Sequence, residues 1–243
     1  MKRLFSLFLF ATLLSATTYT TSFPNTENPI SQNGNWINGG QSPALNWTNC
    51  RTTPGLAFGT ENINSGTDDD STCILTGTWG LNQTVTATVH AVGNYALGLE
   101  AELRLRTTMA SHSITGYEID CTPGIILIVR WNGAINNFTV LAQETNRPVQ
   151  NGDTLVASIV GNTITVNING TQVLQATDPS AFTNGTPGMG FFDRLDTTAS
   201  DMGFTSFTAT DGVNSLPNAT STPQPPSSLS ILIFLFKGLM WIL

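Results

Sequence analysis

Charged residues are rare in this chain, yet several of them fall on consecutive segments with the alternation of β-strands. In the segment LEAELRLR every second residue is charged: Glu100, Glu102, Arg104 and Arg106. Because successive side chains of a strand point to opposite faces, these four are predicted to share one face, and the intervening apolar residues the other. The next strand carries Glu118 and Asp120 on one side and Tyr117 on the other. Arg130 and Trp131 follow on the strand after it. The sequence therefore predicts a polar band across one sheet.

Such a band is typical of a groove that hydrogen-bonds a sugar polymer. Arginine and carboxylate side chains grip hydroxyl or uronate groups there, and an aromatic ring stacks on the sugar. The alternative is a solvated sheet face on which opposite charges pair across strands. Four tryptophans offer further stacking platforms, although tryptophan is often part of a core: Trp36, Trp47, Trp79 and Trp131. We expect the following residues to bind the ligand: Glu102, Arg104, Arg106, Tyr117, Glu118 and Arg130.

The elements that position these residues are predicted to be short strands. Between about residues 23 and 211 there is no long helical period, and alternating or β-branched runs recur between Gly, Asn, Asp or Pro. The pairs Gly161-Asn162 and Asn169-Gly170 tolerate positive φ and predict a three-stranded meander. So many antiparallel strands around one core predict an all-β fold, a two-sheet antiparallel jelly-roll sandwich.

The amino-terminal residues 1–16 have the features of a secretory signal peptide. Lys2 and Arg3 precede an apolar run, Leu4–Leu14, and small residues follow it. This run is shorter than the roughly 20 residues that span a bilayer. We therefore expect cleavage near Ala16, an extracellular location, and a folded domain over residues 17–212.

The carboxyl-terminal residues are predicted to lie outside that domain. Residues 213–228 form a Ser/Thr/Pro-rich linker that cannot build a core, and residues 229–243 form a hydrophobic tail. Small residues near Asn218–Ser221, a polar spacer and the apolar end fit a lipid-anchor signal, although Lys237 counts against it. The alternatives are a tail that associates with membranes and an end without function.

Cysteine and charge content restrict the chemistry further. Of Cys50, Cys73 and Cys121, we expect the first two to form a disulfide across a hairpin, the alternative being three buried thiols. Nine Lys and Arg against sixteen Asp and Glu give a net charge of -7, which argues against a nucleic-acid partner. Six Asn-x-Thr triplets are candidate glycosylation sites in a secreted glycoprotein: Asn46, Asn82, Asn137, Asn169, Asn184 and Asn218.

The order of motifs adds a family resemblance. An ELRLR strand, a GYEI strand and an RWNG turn precede GDTLVASIVGNTITVNINGTQVLQATD, and GTPGMGFF and DMGFTSFTATD close the domain. This order resembles the concanavalin A-like lectin/glucanase superfamily, in particular its laminin-G-like modules. The resemblance implies a jelly roll that binds a polysaccharide or glycan. Because the fold also hosts hydrolases, lyases and structural modules, a structural or adhesive surface protein is a further alternative.

Two enzyme families of that fold are matched only in part. Laminarinase-type hydrolases carry an E-x-D-x-x-E strand; Glu118 and Asp120 match its opening, but Pro123 stands where the acid/base glutamate is needed. Alginate-lyase-like enzymes carry an R-x-E-L-R strand that is similar to ELRLR, and their Gln, His and Tyr-rich strands are not visible here. With neither catalytic set complete, the sequence favours a binding module, and the alternative is a polysaccharide lyase or glycoside hydrolase with an unfamiliar site on the same face.

The resemblance also implies a structural calcium ion. An acidic run at the end of a turn-rich segment, followed by Ser71, offers oxygen ligands, and the closing strand adds one more. The alternative is a solvated acidic turn, since the run lacks the regular spacing of a calcium loop. The predicted calcium ligands are Asp68, Asp69, Asp70 and Asp211.

Overall fold

A computed structural model describes residues 16–42, 45, 47–60, 70–92, 99–122, 124–145, 147–193 and 198–212. The predicted linker and hydrophobic tail lie outside these residues, and so does the predicted signal peptide except for Ala16. Asp68, Asp69, Asn46 and Asn218 also lie outside them. In the described part of the chain, the helical segments are two 3-10 turns, Gly39–Gln41 and Ala199–Asp201. No described helix is long and apolar enough to cross a membrane.

The described residues form fifteen strands that pair into two antiparallel sheets. An eight-stranded sheet has the order β13-β12-β11-β6-β15-β4-β3, with β1 also paired to β15. A seven-stranded sheet has the order β10-β9-β8-β7-β14-β5-β2. In chain order the strands are β1 (Thr18–Thr21), β2 (Trp36–Asn38), β3 (Arg51–Thr53), β4 (Leu56–Phe58), β5 (Asp70–Leu75), β6 (Gln83–Ala91), β7 (Leu99–Ala110), β8 (Ser113–Cys121), β9 (Ile125–Ala134), β10 (Phe138–Thr145), β11 (Thr154–Val160), β12 (Thr163–Ile168), β13 (Thr171–Thr177), β14 (Thr186–Asp193) and β15 (Met202–Thr210).

The hydrophobic core lies between the sheets and follows from the alternation of the strands. Val85, Ala87 and Val89 of β6 point inward, opposite Leu103 and Leu105 of β7, and all five are buried. A second apolar cluster covers the outer face of the seven-stranded sheet: Leu45, Trp47, Ile114, Leu127, Val129 and Trp131. Both faces of the seven-stranded sheet are therefore buried near its centre.

The predicted all-β sandwich is confirmed, including the three-stranded meander that the turn residues indicated most clearly. The turns at Gly161-Asn162 and Asn169-Gly170 join β11, β12 and β13 into the expected meander. Asn169 and Gly170 have φ values of 50° and 78°, the left-handed region that the Asn-Gly pair tolerates.

The predicted disulfide between Cys50 and Cys73 is confirmed, although it does not cross a hairpin. Cys50 immediately precedes β3 of one sheet, whereas Cys73 lies in β5 of the other, with a Cα–Cα distance of 5.9 Å. The bond therefore links the two sheets through the core. Cys121 is buried and free, and its burial, together with the nearby charge of Asp120, raises the pKa of its thiol well above the usual value.

Candidate functional site

Three of the predicted ligand-binding residues meet on the outer face of the seven-stranded sheet. Arg104 on β7 lies directly opposite Glu118 on β8, and its guanidinium forms ion pairs with both Glu102 and Glu118. The Arg104–Glu118 contact measures 3.2 Å, and the indole nitrogen of Trp131 donates to the same Glu118 oxygen at 2.5 Å. We call Glu100, Glu102, Arg104 and Glu118 the Arg104 cluster. The alternation expected from the sequence is what brings them together.

The Arg104 cluster is not open to solvent as the groove prediction required. The side chains of Arg104, Glu102 and Glu118 are 0% exposed. Trp47 lies over them, with its ring centroid 5.1 Å from the Arg104 guanidinium carbon and 5.1 Å from the ring of Trp131. A polymer cannot reach these groups in this arrangement.

Backbone contacts fix the segment that covers the cluster. Thr48 donates its N–H to the carbonyl of Asp70 at 2.8 Å, and its hydroxyl lies 2.7 Å from that of Ser71. The segment next to Trp47 is thereby held along the edge of β5. Nothing in the local sequence pattern indicated that this segment folds over the charged face.

The electrostatics of the Arg104 cluster are those of an internal ion network. Burial alone would lower the pKa of the Arg104 guanidinium, but the charges of Glu102, Glu118 and Asp70 outweigh it and raise the pKa. Carboxylate oxygens of Glu100, Glu102 and Glu118 lie within 4.8 Å of one another, and the guanidinium supplies positive charge beside them. The Arg104 guanidinium therefore offsets the repulsion among these carboxylates and joins β7 to β8 through Glu118.

Tyr117 and Arg130 form a separate group at the edge of the sandwich. The Tyr117 hydroxyl donates to Asp178 at 2.7 Å, and the Arg130 guanidinium pairs with the same carboxylate at 2.8 Å. Arg130 also lies over the ring of Phe182, 4.3 Å from its centroid. Burial and the hydrogen bond to Asp178 raise the pKa of Tyr117 to about 12. A phenol that keeps its proton so strongly is poorly suited to act as a base near neutral pH.

Arg106 does not join Arg104, contrary to the expected alternation. The register of β7 and β8 shifts between Leu105 and Thr108, and Arg106 has a φ of 47°. This bulge turns its side chain away from the charged face. The guanidinium instead donates to three backbone carbonyls at 2.6–2.8 Å: those of Leu81, Gly161 and Phe182. Arg106 thus ties β7 to the loops of the opposite sheet.

The predicted calcium ligands within the described residues do not share a site. Asp70 begins β5 and lies near Arg104. Asp211 follows β15 and accepts N–H groups from Gly80 and Thr17, beyond the other end of β5. Burial would raise the pKa of Asp211, but these hydrogen bonds lower it. Asp70 and Asp211 therefore do not fit one ion, whereas Asp68 and Asp69 lie outside the described residues.

The predicted aromatic platforms are also largely enclosed. Trp36, Trp47 and Trp131 are at most 4% exposed, and Trp79 packs partly against the core. They contribute to packing rather than to an open stacking surface.

The structure shows a cleft that the sequence did not reveal. It has a volume of about 680 Å³ on the outer face of the eight-stranded sheet. Arg51 pairs with Phe58 across β3 and β4, and His90 pairs with Gly203 across β6 and β15. The 3-10 turn that contains Asp201 forms one wall. These residues are spread over five elements without a shared motif, so no sequence pattern could group them.

Comparisons with known proteins identify the fold. No protein-family model and no curated protein matches the chain. A carbohydrate-binding module from Bacillus subtilis, CBM66, is 15% identical, with 75% of this chain and 95% of that one covered and a TM-score of 0.50. The carbohydrate recognition domain of Emp47p is 13% identical, with 80% and 96% covered and a TM-score of 0.51.

A third match points the same way. The exoplasmic/lumenal domain of VIP36, in its Ca²⁺/Man3GlcNAc-bound form, is 12% identical, with 82% of this chain and 91% of that one covered and a TM-score of 0.51. Identities this low establish the fold alone. The two antiparallel sheets, their topology and these structural matches together show that the chain is a concanavalin A-like jelly roll.

Proposed function

We propose that the protein is a secreted carbohydrate-binding module that recognises a polysaccharide or glycan without cleaving it. The observation that carries the proposal is the fold, which is shared over nearly the full length of one carbohydrate-binding module, one carbohydrate recognition domain and the exoplasmic/lumenal domain of VIP36. The solved structure of VIP36 is a complex with Man3GlcNAc, so this architecture accommodates a glycan. The predicted signal peptide is consistent with an extracellular ligand.

The geometry of the carboxylates argues against catalysis at the Arg104 cluster. A two-carboxylate hydrolase needs one carboxyl group on each side of an accessible glycosidic bond. Here Glu102 and Glu118 both contact the guanidinium of Arg104 beneath Trp47. These groups hold two strands together and are shielded from substrate, so the glycan is expected to bind outside the Arg104 cluster.

A structural or adhesive surface protein is the second candidate. The burial of the Arg104 cluster favours it, because charged groups that pair internally need no ligand to explain their presence. The predicted tail gives such a protein a means of attachment to a surface. This candidate predicts a stable fold with no glycan affinity.

A glycan array distinguishes the two candidates. The secreted protein is applied to neutral and acidic polysaccharides with and without calcium, and bound polymers are analysed for cleavage products. Binding without products supports the module, and cleavage contradicts the absence of catalysis. Failure to bind any glycan at micromolar protein concentrations contradicts the proposed function and favours the structural role.

A further inference from the structure

The cleft on the eight-stranded sheet has a floor built by register. Arg51 of β3 pairs with Phe58 of β4, and Gly203 of β15 pairs with His90 of β6. Because Ala57 pairs with Phe204, the antiparallel register places Phe58 beside Gly203. These four residues therefore form a single row across β3, β4, β15 and β6. Val89 and Phe204, the sequence neighbours of His90 and Gly203, point into the core, so the row faces outward.

Glycine at position 203 leaves the middle of that floor without a side chain. A methyl group there would overlap the carbonyl oxygen of Ala57 and lie 3.1 Å from the side chain of Leu56. The close approach of β4 to β15 therefore requires glycine. Glycine lets the backbone of β4 lie directly against β15, and the side chains that line the cleft come from the flanking positions Arg51, Phe58 and His90.

Among the arginines of the described residues, Arg51 is the one that lines this cleft. Arg104, Arg106 and Arg130 are committed to internal carboxylates and carbonyls. Within the described residues, no hydrogen bond or ion pair engages the Arg51 guanidinium, whose carbon lies 4.8 Å from the centroid of the Phe58 ring. Stacking on that ring orients the planar fork in advance and reduces the ordering cost of binding.

The 3-10 turn in the lining supplies hydrogen-bonding groups for hydroxyls. Asp201 offers carboxylate acceptors, and Ser200 offers a hydroxyl. His90 adds a ring nitrogen from the floor. A ligand that carries both a carboxylate, to pair with Arg51, and hydroxyl groups, to donate to Asp201, fits this lining. A simple anion fits it less well, because the Asp201 carboxylate repels it and it has no hydroxyl groups to donate.

We infer that this cleft binds an acidic sugar residue, with the uronate carboxylate on Arg51 and ring hydroxyls on Asp201 and His90. The inference rests on the proposed carbohydrate-binding function and names its site and ligand class. It places recognition on the face of the sandwich opposite the Arg104 cluster.

The test compares oligogalacturonate with its methyl ester, which keeps the sugar and removes the charge. Titration calorimetry on the secreted protein is expected to show binding of the acid and at least about tenfold weaker binding of the ester, the range of a charge-assisted hydrogen bond. Arg51→Ala is expected to weaken binding of the acid by about tenfold or more, and Arg51→Lys by less, because lysine keeps the charge without the fork. Arg147→Ala is the matched control, since Arg147 is exposed and does not line the cleft.

The outcomes separate this site from the function on which it rests. Equal loss in the Arg51 and Arg147 variants, or equal affinity for acid and ester, overturns the inference and leaves glycan binding in place. Binding of neutral glycans but not of acidic ones likewise overturns the inference and leaves glycan binding in place. Absence of binding to every glycan overturns both. Thermal melts of Arg51→Ala that match those of the wild type show that lost binding does not reflect unfolding.

Discussion

The guanidinium of Arg104 compensates buried carboxylates on two strands, so its removal is expected to be costly. Arg104→Met keeps much of the side-chain volume but leaves the charges of Glu102 and Glu118 buried without it. Breaking a buried ion pair on one side costs about 3–5 kcal/mol. We predict a decrease of that size in the free energy of unfolding, measured by urea denaturation at neutral pH.

The control for this prediction is an arginine at the surface. Arg147→Met changes the net charge equally at an exposed position and is expected to alter stability by less than about 0.5 kcal/mol. Replacing Arg104, Glu102 and Glu118 together by Met, Gln and Gln is expected to recover part of the loss, because no uncompensated charge stays at these three positions. A loss below about 1 kcal/mol in Arg104→Met would show that the cluster is hydrated rather than buried.

Tyr117 is predicted to make stability depend on alkaline pH. Burial and its hydrogen bond to Asp178 raise its pKa to about 12, whereas an unfolded tyrosine has a pKa of about 10. The native state therefore favours the protonated phenol. Its contribution is complete below pH 10 and is lost as the pH rises from 10 to 12. Tyr117→Phe is expected to flatten this fall, measured by urea unfolding across that range.

A second tyrosine sets the background for that measurement. Burial also raises the pKa of Tyr19, so Tyr117→Phe should retain a residual slope. At pH 7 the variant is expected to lose about 1–3 kcal/mol, because the Asp178 carboxylate loses a hydrogen bond. Parallel curves for variant and wild type between pH 10 and 12 would contradict the role of Tyr117.

At the level of the strand, β14 must leave space for the Arg104 cluster. A methyl group on Gly190 would overlap the Glu102 carboxylate and lie 2.8 Å from the Arg104 guanidinium. Because both groups are buried and tied to neighbours, Gly190→Ala is expected to destabilise the protein by about 1–3 kcal/mol. Gly124→Ala is the matched control, since nothing lies within 4 Å of its added methyl group. Equal melting temperatures for the two variants would contradict this account.

Strand patterns predicted from the sequence were reliable where alternation and turn chemistry agree. Glu102, Arg104 and Glu118 share a face as expected, because each strand keeps a period of two. Arg106 was misplaced because one extra residue in a bulge reverses every following side chain. Such a bulge depends on contacts with Gln83 of another sheet, which no local pattern contains.

The solvent exposure of the charged face could not be predicted for a similar reason. A strand with alternating charges normally indicates a solvated face. The cover by Trp47 and Leu45 comes from a segment more than fifty residues earlier in the chain, held beside β5 by Thr48. Tertiary contacts of this kind decide whether a polar band is a groove or an internal network, so the candidate site was less predictable than the fold.

For the molecule as a whole, the start of the folded domain closes against its end. Strand β1 pairs with β15 from Thr18↔Thr210 onward, and the backbone N–H of Thr17 donates to the Asp211 carboxylate at 2.5 Å. The N–H of Gly80 donates to the second oxygen of Asp211 at 2.9 Å. The predicted cleavage after Ala16 would convert the Thr17 amide into a charged α-amino group beside this carboxylate.

We therefore predict that the chain beginning at Thr17 is more stable than one that retains residues 12–16. An exposed ion pair contributes about 0.5 kcal/mol, so the expected difference is small and requires a double-mutant cycle with Asp211→Asn. In the Asp211→Asn background the two chains should be equally stable, and salt should reduce the difference in the wild type because it screens exposed charges. Urea unfolding at pH 6, where the α-amino group is charged, provides the measurement. A difference in stability that persists unchanged in Asp211→Asn would contradict the prediction, because residues 12–16 would then alter stability through contacts other than the ion pair of the new amino terminus with Asp211.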